Sequence, residues 1–392
     1  MRRVIIHIDI NQFFVAVARL EDPSLIGKPV VVAGDNRRGI VSTASYEARK
    51  YGISSAMPTY MAKKLCPQLI IRPVTFDLYQ KKSRELFDFL RQNYTSQIEI
   101  VSIDECYMDI TDLIKNEVSP LNYLKTLQQR ILSSTKLEVS IGVGPTKFLA
   151  KMGSDYKKPL GITIIRKRDI KRILYPLDVK DFYGIGKKTI PRLNDIGIKT
   201  IKDLANNSSY ELKKILGTFY VTMKKWLNGE GDDVVDPTPS DPKSISSTST
   251  FLYDTNDYEE ITNQLKERAQ EVAYQAQYDK KVGKTITLII KEASFKSISR
   301  SITINKPINS FLDIYSNVMK LFDKYFDNQY IRLAGVGLST LIDKKDFFVQ
   351  ISLFDQQQNQ KECRTKLLVN RLNQKANKKI FNVASALNED SK

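Results

Sequence analysis

Asp9, Asp104 and Glu105 are three acids in settings where a carboxylate is unusual. Asp9 lies inside the apolar run RVIIHIDI, and Asp104 and Glu105 stand between IEIVSI and CYMDI. A carboxylate placed in an apolar strand is costly unless it is paired. Three that converge cannot all stay ionised unless a cation neutralises them. Hard oxygen donors suit Mg²⁺, which leaves positions open for water and phosphate oxygens. Two such ions can activate an attacking 3′-hydroxyl and stabilise a leaving pyrophosphate. The competing reading is three unrelated acids on strand surfaces and turns, and spacing alone leaves both open.

The elements that would carry these acids are legible in the pattern of apolar residues. RVIIHIDI (3–10) reads as a strand, as does PVVVAG (29–34), followed by a DNRRG turn and an extended IVSTA. SYEARKYG reads as a short helix closed by Gly52, and PTYMAKKLC (58–66) as another with proline in its first turn. Phe76, Tyr79, Leu86, Phe87 and Leu90 recur at helical spacing over 75–94. IEIVSI (98–103) and CYMDI (106–110) form an antiparallel hairpin carrying Asp104 and Glu105 and facing the strand of Asp9. A helix over 119–134, a strand over 138–144, a helix from near Pro145 and a strand over 161–165 complete an α/β unit.

Beyond it, residues 166–231 are basic and helix-rich and contain YGIGKKT and DIGIKTIKDLA. DDVVDPTPSDPK (232–243) has the composition of a linker. Residues 244–342 read as strand 245–252, helix 257–279, strands 284–293 and 297–304, helix 309–326 and strand 331–342. That order makes a small sheet with two helices on one face. The segment past 343 turns polar and basic.

Composition removes several classes. With 42% hydrophobic and 27% charged residues in 392, the chain can bury a core. The 61 Lys and Arg outnumber the 44 Asp and Glu to leave +17, an excess spread along the chain rather than held in one arm. A polyanion lying across several lobes fits that spread. No apolar run reaches the length of a membrane span, and Asp9, Asn11 and Gln12 interrupt the only signal-like stretch. Cys66, Cys106 and Cys363 are three and far apart, which argues against a disulfide framework or a cysteine zinc site and leaves a reducing cytoplasm as the default compartment. The single histidine, His7, excludes a His-rich metal centre and reads as a strand residue on a half-buried sheet.

IHIDINQFFVAV, STASYEARKYGI, SIDECYMDIT and KKPLGI, in this order and spacing, resemble the Y-family translesion DNA polymerases of the DinB or polymerase IV type. The resemblance spans about residues 1–342, and the SIDE block together with the N-terminal aspartate is highly specific. It implies an α+β right-hand polymerase. Residues 1–10 and 75–165 would be the palm, 11–74 the fingers, 166–231 the thumb, 232–243 a linker and 244–342 the β-α-β-β-α-β little finger. It also implies that Asp9, Asp104, Glu105 and the Ile10 carbonyl hold two Mg²⁺ ions.

By the same resemblance Phe14 is the steric gate against a ribose 2′-hydroxyl, while the adjacent Phe13 packs. Tyr46, Arg49 and Lys158, with Thr43 a weaker candidate, would grip the triphosphate of a dNTP. An arginine forks onto two phosphate oxygens and a lysine acts as a point charge. Asn11 stands where many relatives carry a second acid, a position that is not a metal ligand in the family pattern. Cys106 replaces the commoner alanine after the catalytic pair.

GIGK (184–187) resembles a helix-hairpin-helix turn, in which Gly184, Gly186 and Lys187 would meet the backbone of primer–template DNA without reading sequence. The bland alternative is an ordinary turn between helices. QISLF (350–354) resembles the peptide that bacterial polymerases insert into the sliding clamp, with Gln350, Ile351, Leu353 and Phe354 as contacts; an apolar patch folding back on the little finger is the alternative. The implied protein is a cytoplasmic monomer that copies DNA past damaged bases. Three rival readings are a DNA-binding scaffold that has lost synthesis, a polymerase active only with accessory subunits, and a nucleotide cyclase. A cyclase would not need GIGK, the little-finger region or QISLF.

Overall fold

The computed structural model describes residues 3–239 and 241–347. They divide into two units, one running to Asp241 and one starting at Pro242.

In the first unit the chain forms β1 (Ile5–Ile10), α1 (Phe13–Glu21), β2 (Val30–Ala33), β3 (Val41–Ala44), α2 (Tyr46–Arg49), α3 (Thr59–Leu65), β4 (Ile70–Arg72), α4 (Phe76–Asn93), β5 (Ile98–Ile100), β6 (Glu105–Asp109), α5 (Pro120–Thr135), β7 (Val139–Gly144), α6 (Lys147–Tyr156) and β8 (Ile162–Ile164). The larger sheet has the order β5-β6-β1-β7-β8, so β1 is its central strand. It runs antiparallel to both neighbours, with Asp9 opposite Glu105 on one side and Ser140 on the other.

Strand alternation sorts the chemistry onto one face. Ile6, Ile8, Ile10, Cys106, Met108, Val139, Ile141 and Val143 enter the core shared with α1, α4 and α5. The alternate residues, His7, Asp9, Glu105, Tyr107, Ser140 and Gly142, are left for the opposite face, where α6 packs on β1 and β7. The hairpin turn is tighter than the run IEIVSI implies. β5 ends at Ile100, and the amides of Val101 and Ser102 both donate to the Glu105 carbonyl. That turn puts Asp104 in the bend and Glu105 at the start of β6.

Two glycines let α6 lie directly on the sheet. A Cβ on Gly142 would sit 1.9 Å from the Ala150 carbonyl oxygen and 2.1 Å from the Ser154 nitrogen, and one on Gly153 would sit 2.9 Å from Gly142 Cα. Backbone cannot step aside as a side-chain tip can. Gly142→Ala should therefore destabilise the fold by about 3 kcal/mol or more, at or above the upper end of ordinary overpacking. Urea unfolding checks this, and a variant within about 0.5 kcal/mol of the parent, the usual range of a surface substitution, would mean that α6 is not seated as described.

The smaller sheet has the order β3-β2-β4, with β2 antiparallel to β3 and parallel to β4. Ser45 caps α2 by accepting from the Ala48 amide at 3.1 Å. Five short helices follow: α7 (Ile170–Ile173), α8 (Thr189–Asp195), α9 (Ile201–Asn206), α10 (Tyr210–Leu216) and α11 (Phe219–Leu227). They share a core with α6, where Trp226 stacks on Phe148 at 4.6 Å.

The linker composition of 232–243 is misleading for its first half. Asp232 pairs with Lys147 at 2.8 Å, the Asp236 amide donates to Glu99 at 2.8 Å, and Val235 is buried against Ile5, Tyr107 and Ala150. Those partners lie far back in the chain, so composition could not reveal them.

The second unit contains β9 (Ser244–Thr255), α12 (Tyr258–Tyr278), β10 (Lys281–Glu292), β11 (Ser297–Ile308), α13 (Phe311–Tyr325) and β12 (Ile331–Asp343). This is the expected β-α-β-β-α-β order, folded as an antiparallel sheet β11-β10-β12-β9. The buried faces of α12 and α13 meet Ile286, Leu288, Ile290, Val336 and Leu338 in one core. Strand residues that do not enter it include Thr285, Thr287, Ser301, Thr303 and Thr340, which hydrogen-bond to one another across strands. The fold class is α+β. Among the described residues no helix is long and apolar enough to cross a membrane.

Candidate active site

Asp9 is 8% exposed and sits between two ammonium groups, Lys158 at 2.7 Å and Lys151 at 3.2 Å. Lys151 also meets Glu105 at 2.8 Å and Asp155 at 3.4 Å, and Lys158 meets Asp155 at 2.7 Å. Lys151 and Asp155 are four apart on one face of α6, and Lys158 comes from the turn that follows the helix. Burial works against both lysine charges, but Asp155 and Asp9, with Glu105 acting on Lys151 as well, outweigh it and raise both pKa values.

His7 is not half-buried but wholly enclosed, because α6 covers its face of the sheet. Its Nδ1 lies 2.8 Å from the Ser154 hydroxyl, and its Nε2, without a well-aligned hydrogen bond, lies 3.4 Å from Glu105. Burial lowers the His7 pKa. The His7 ring and the Lys151 ammonium hold the Glu105 carboxyl down at about 2. Asp104 moves the other way: burial, then the nearby charges of Asp9 and Glu105, raise it against the pull of the Ser102 hydroxyl 2.5 Å away. The Ile10 amide donates to the Asp104 carbonyl at 3.0 Å, which brings the Ile10 peptide beside that acid.

A carboxylate or imidazole atom from each of His7, Asp9 and Glu105 lies within 4.8 Å of the others. Asp104 stands outside that trio, beside Asp9 on the wall of an adjoining cavity. Within the trio, the Asp9 and Glu105 carboxylates fit a hard divalent cation: they already share one positive charge, the Lys151 ammonium, across facing strands.

That cavity, of about 280 Å³, is lined mainly by polar groups, among them Thr43, Tyr46, Arg49 and Lys158, as well as Phe13. The Arg49 guanidinium lies over the Tyr46 ring at 4.7 Å and donates to the Ala44 carbonyl at 3.0 Å. Burial raises the Tyr46 hydroxyl pKa. The two phenylalanines sit differently. Phe13 is packed, 2% exposed, yet reaches the cavity wall. Phe14 is stacked on Tyr79, with ring centroids 4.2 Å apart, and is not among the residues lining the cavity.

Asn11 is buried and accepts from the Ser140 hydroxyl at 2.8 Å. Cys106 is fully buried on the core face, and that burial pushes its thiol pKa up. Gly184 has φ +93, and a Cβ there would meet the Phe219 ring at 2.6 Å, so both backbone and space require glycine. Gly186 and Lys187 complete the turn before α8, and Gly184 borders a cleft that also touches Asp155 and Tyr156 of α6. Gln350, Ile351, Leu353 and Phe354 lie outside the described residues.

Comparison with known proteins matches this architecture throughout its length. The impB/mucB/samB family model matches residues 8–155, its C-terminal domain 242–353 and the HHH motif of the same family 167–198. The chain is 40% identical to DNA polymerase IV of Oceanobacillus iheyensis over 99% of its own length and 93% of that protein. It is 39% identical to DNA polymerase IV 1 of Bacillus subtilis over 99% and 94%. The chain belongs to the Y-family DNA polymerases of the DNA polymerase IV type.

Solved structures agree. A Y-family DNA polymerase chimera of Dbh and Dpo4 superposes with a TM-score of 0.76 at 28% identity, covering 87% of this chain and 99% of that one. An insertion ternary complex of Dbh DNA polymerase gives 0.60 at the same identity and coverage. Four residues that sequence reasoning did not place at the site stand there: His7, Gln12, Lys151 and Asp155. Only the spacing KxxxDxxK over 151–158 offered a signal, and it reads equally well as a solvated helix face.

Proposed function

We propose how this chain, a DNA-directed DNA polymerase of the translesion type, divides the work of adding a dNTP to a primer 3′-hydroxyl. Asp9, Asp104, Glu105 and the Ile10 carbonyl would hold two Mg²⁺ ions, which would supply the charge that activates the hydroxyl and neutralises the leaving pyrophosphate. Lys151 pairs with Asp9, Glu105 and Asp155, so Asp155 would still pair it if the other two carboxylates held a divalent ion. Tyr46, Arg49 and Lys158, with Thr43, grip the triphosphate. Phe14, held by Tyr79, excludes a ribose hydroxyl. Gly184, Gly186 and Lys187 take the duplex backbone. Residues 1–10 and 75–165 would form the palm, 11–74 the fingers, 166–231 the thumb and 244–342 the little finger, and the chain would work as a monomer in the cytoplasm.

The observation that carries this reading is the pairing of Asp9 with Glu105 across adjacent strands, one cation shared between them, beside a polar cavity bearing Arg49 and Lys158. Primer extension by the purified chain on undamaged and lesion-bearing templates tests it. Extension of both is expected with Mg²⁺; failure with the chain alone but success with added subunits would make it accessory-dependent.

QISLF should tether the enzyme to the sliding clamp, raising its effective concentration at the primer end without new DNA contacts. Replacing Leu353 and Phe354 by alanine should remove clamp-stimulated synthesis and leave clamp-free single-nucleotide incorporation unchanged. A parallel drop in both would place the segment in the fold instead, and no change in either would end the clamp assignment.

A further inference from the structure

Gln12 joins the metal strand to α1 in a left-handed conformation, φ 45 and ψ 46. A residue with a Cβ carries strain there that glycine would not, and such strain persists where the surroundings hold it. Its side chain does not cap α1. Instead its carboxamide oxygen accepts from the Tyr46 amide at 2.9 Å, across 34 residues of sequence. The Tyr46 N–H can only donate, so the carboxamide must present oxygen to it. Gln12 lines the same cavity as Asp9, Tyr46 and Arg49.

This hydrogen bond links the two halves of the site. On one side, Gln12 follows Asp9 by three residues, and its neighbour Asn11 is fixed by its amide donating to the Glu138 carbonyl at 2.9 Å. On the other, Tyr46 is the first residue of α2, and Arg49, the last, lies over its ring. We propose that Gln12 is a positioning residue for the incoming nucleotide, its side chain holding the first turn of α2, and hence Tyr46 and Arg49, at a set distance from Asp9. This rests on the cavity being the nucleotide site.

Single-turnover incorporation against dNTP concentration tests it with three variants. Gln12→Met keeps the length and removes the acceptor, Gln12→Gly removes the side chain and relieves the backbone, and Arg49→Ala removes the group held in place. Gln12→Met and Gln12→Gly should each weaken apparent dNTP affinity about tenfold, the size of a lost positioning hydrogen bond, with the maximal rate within about threefold. In the Arg49→Ala background, Gln12→Met should add little, because both act through one grip. The inference is overturned if Gln12→Gly binds dNTP like the parent, if the two substitutions multiply independently, or if only the maximal rate falls. If Arg49→Ala bound dNTP like the parent, the nucleotide-site reading beneath it would instead be overturned.

Discussion

Glu105→Ala should cut nucleotide incorporation by at least about three orders of magnitude, as for residues that act as one unit, while primer–template affinity stays near that of the parent. Glu105 stands opposite Asp9 in the strand register, and the two share the Lys151 ammonium. Removing one carboxylate leaves the pair unable to hold a divalent ion in the same way. Lys151 would still keep Asp9 and Asp155 as partners, so no uncompensated buried charge is created and the fold should survive. Asp104→Ala should behave alike. The DNA grip is assigned elsewhere, to the turn at Gly184–Lys187 and the basic surface. Rapid-quench incorporation, DNA binding by anisotropy and thermal unfolding together check the expectation. Incorporation within tenfold of the parent would show that the metal assignment is wrong.

Phe14→Ala should raise the use of ribonucleotides relative to deoxyribonucleotides by about tenfold to a hundredfold, the scale on which a pocket discriminates one small group. The Phe14 ring is half-buried, stacked on Tyr79 and edge-on to Phe76 at 6.1 Å, so it is rigid without being central to the core. Its loss should therefore change selectivity more than stability. Because Phe13 and not Phe14 lines the cavity, the measurement separates two accounts. Unchanged sugar preference in Phe14→Ala would leave Phe14 as packing and turn attention to Phe13.

Much of the architecture is written locally. The apolar run around Asp9 reads as a strand, and the alternation in 244–342 places every strand and helix of the second unit within a few residues. Period and breakers act over short stretches, so they are legible without a fold. Asp9, Asp104 and Glu105 are legible for a related reason: an acid in an apolar strand stands out against its immediate neighbours.

The partners of those acids emerge only from long-range packing. Lys151 meets Asp9 across 142 residues, His7 meets Glu105 from a central strand, and Gln12 reaches Tyr46 across 34. Nothing local marks a lysine on a helix, a histidine in a strand or a glutamine after one as belonging to a site. The strap at 232–236 looks like a linker for the same reason, since Lys147, Glu99 and Ile5 are distant in sequence. Strands, helices and acids are legible in the chain because they depend on near neighbours. The close seating of α6 on Gly142 and Gly153, which brings Lys151 and Asp155 over the acid pair, is decided by non-local packing and by it alone.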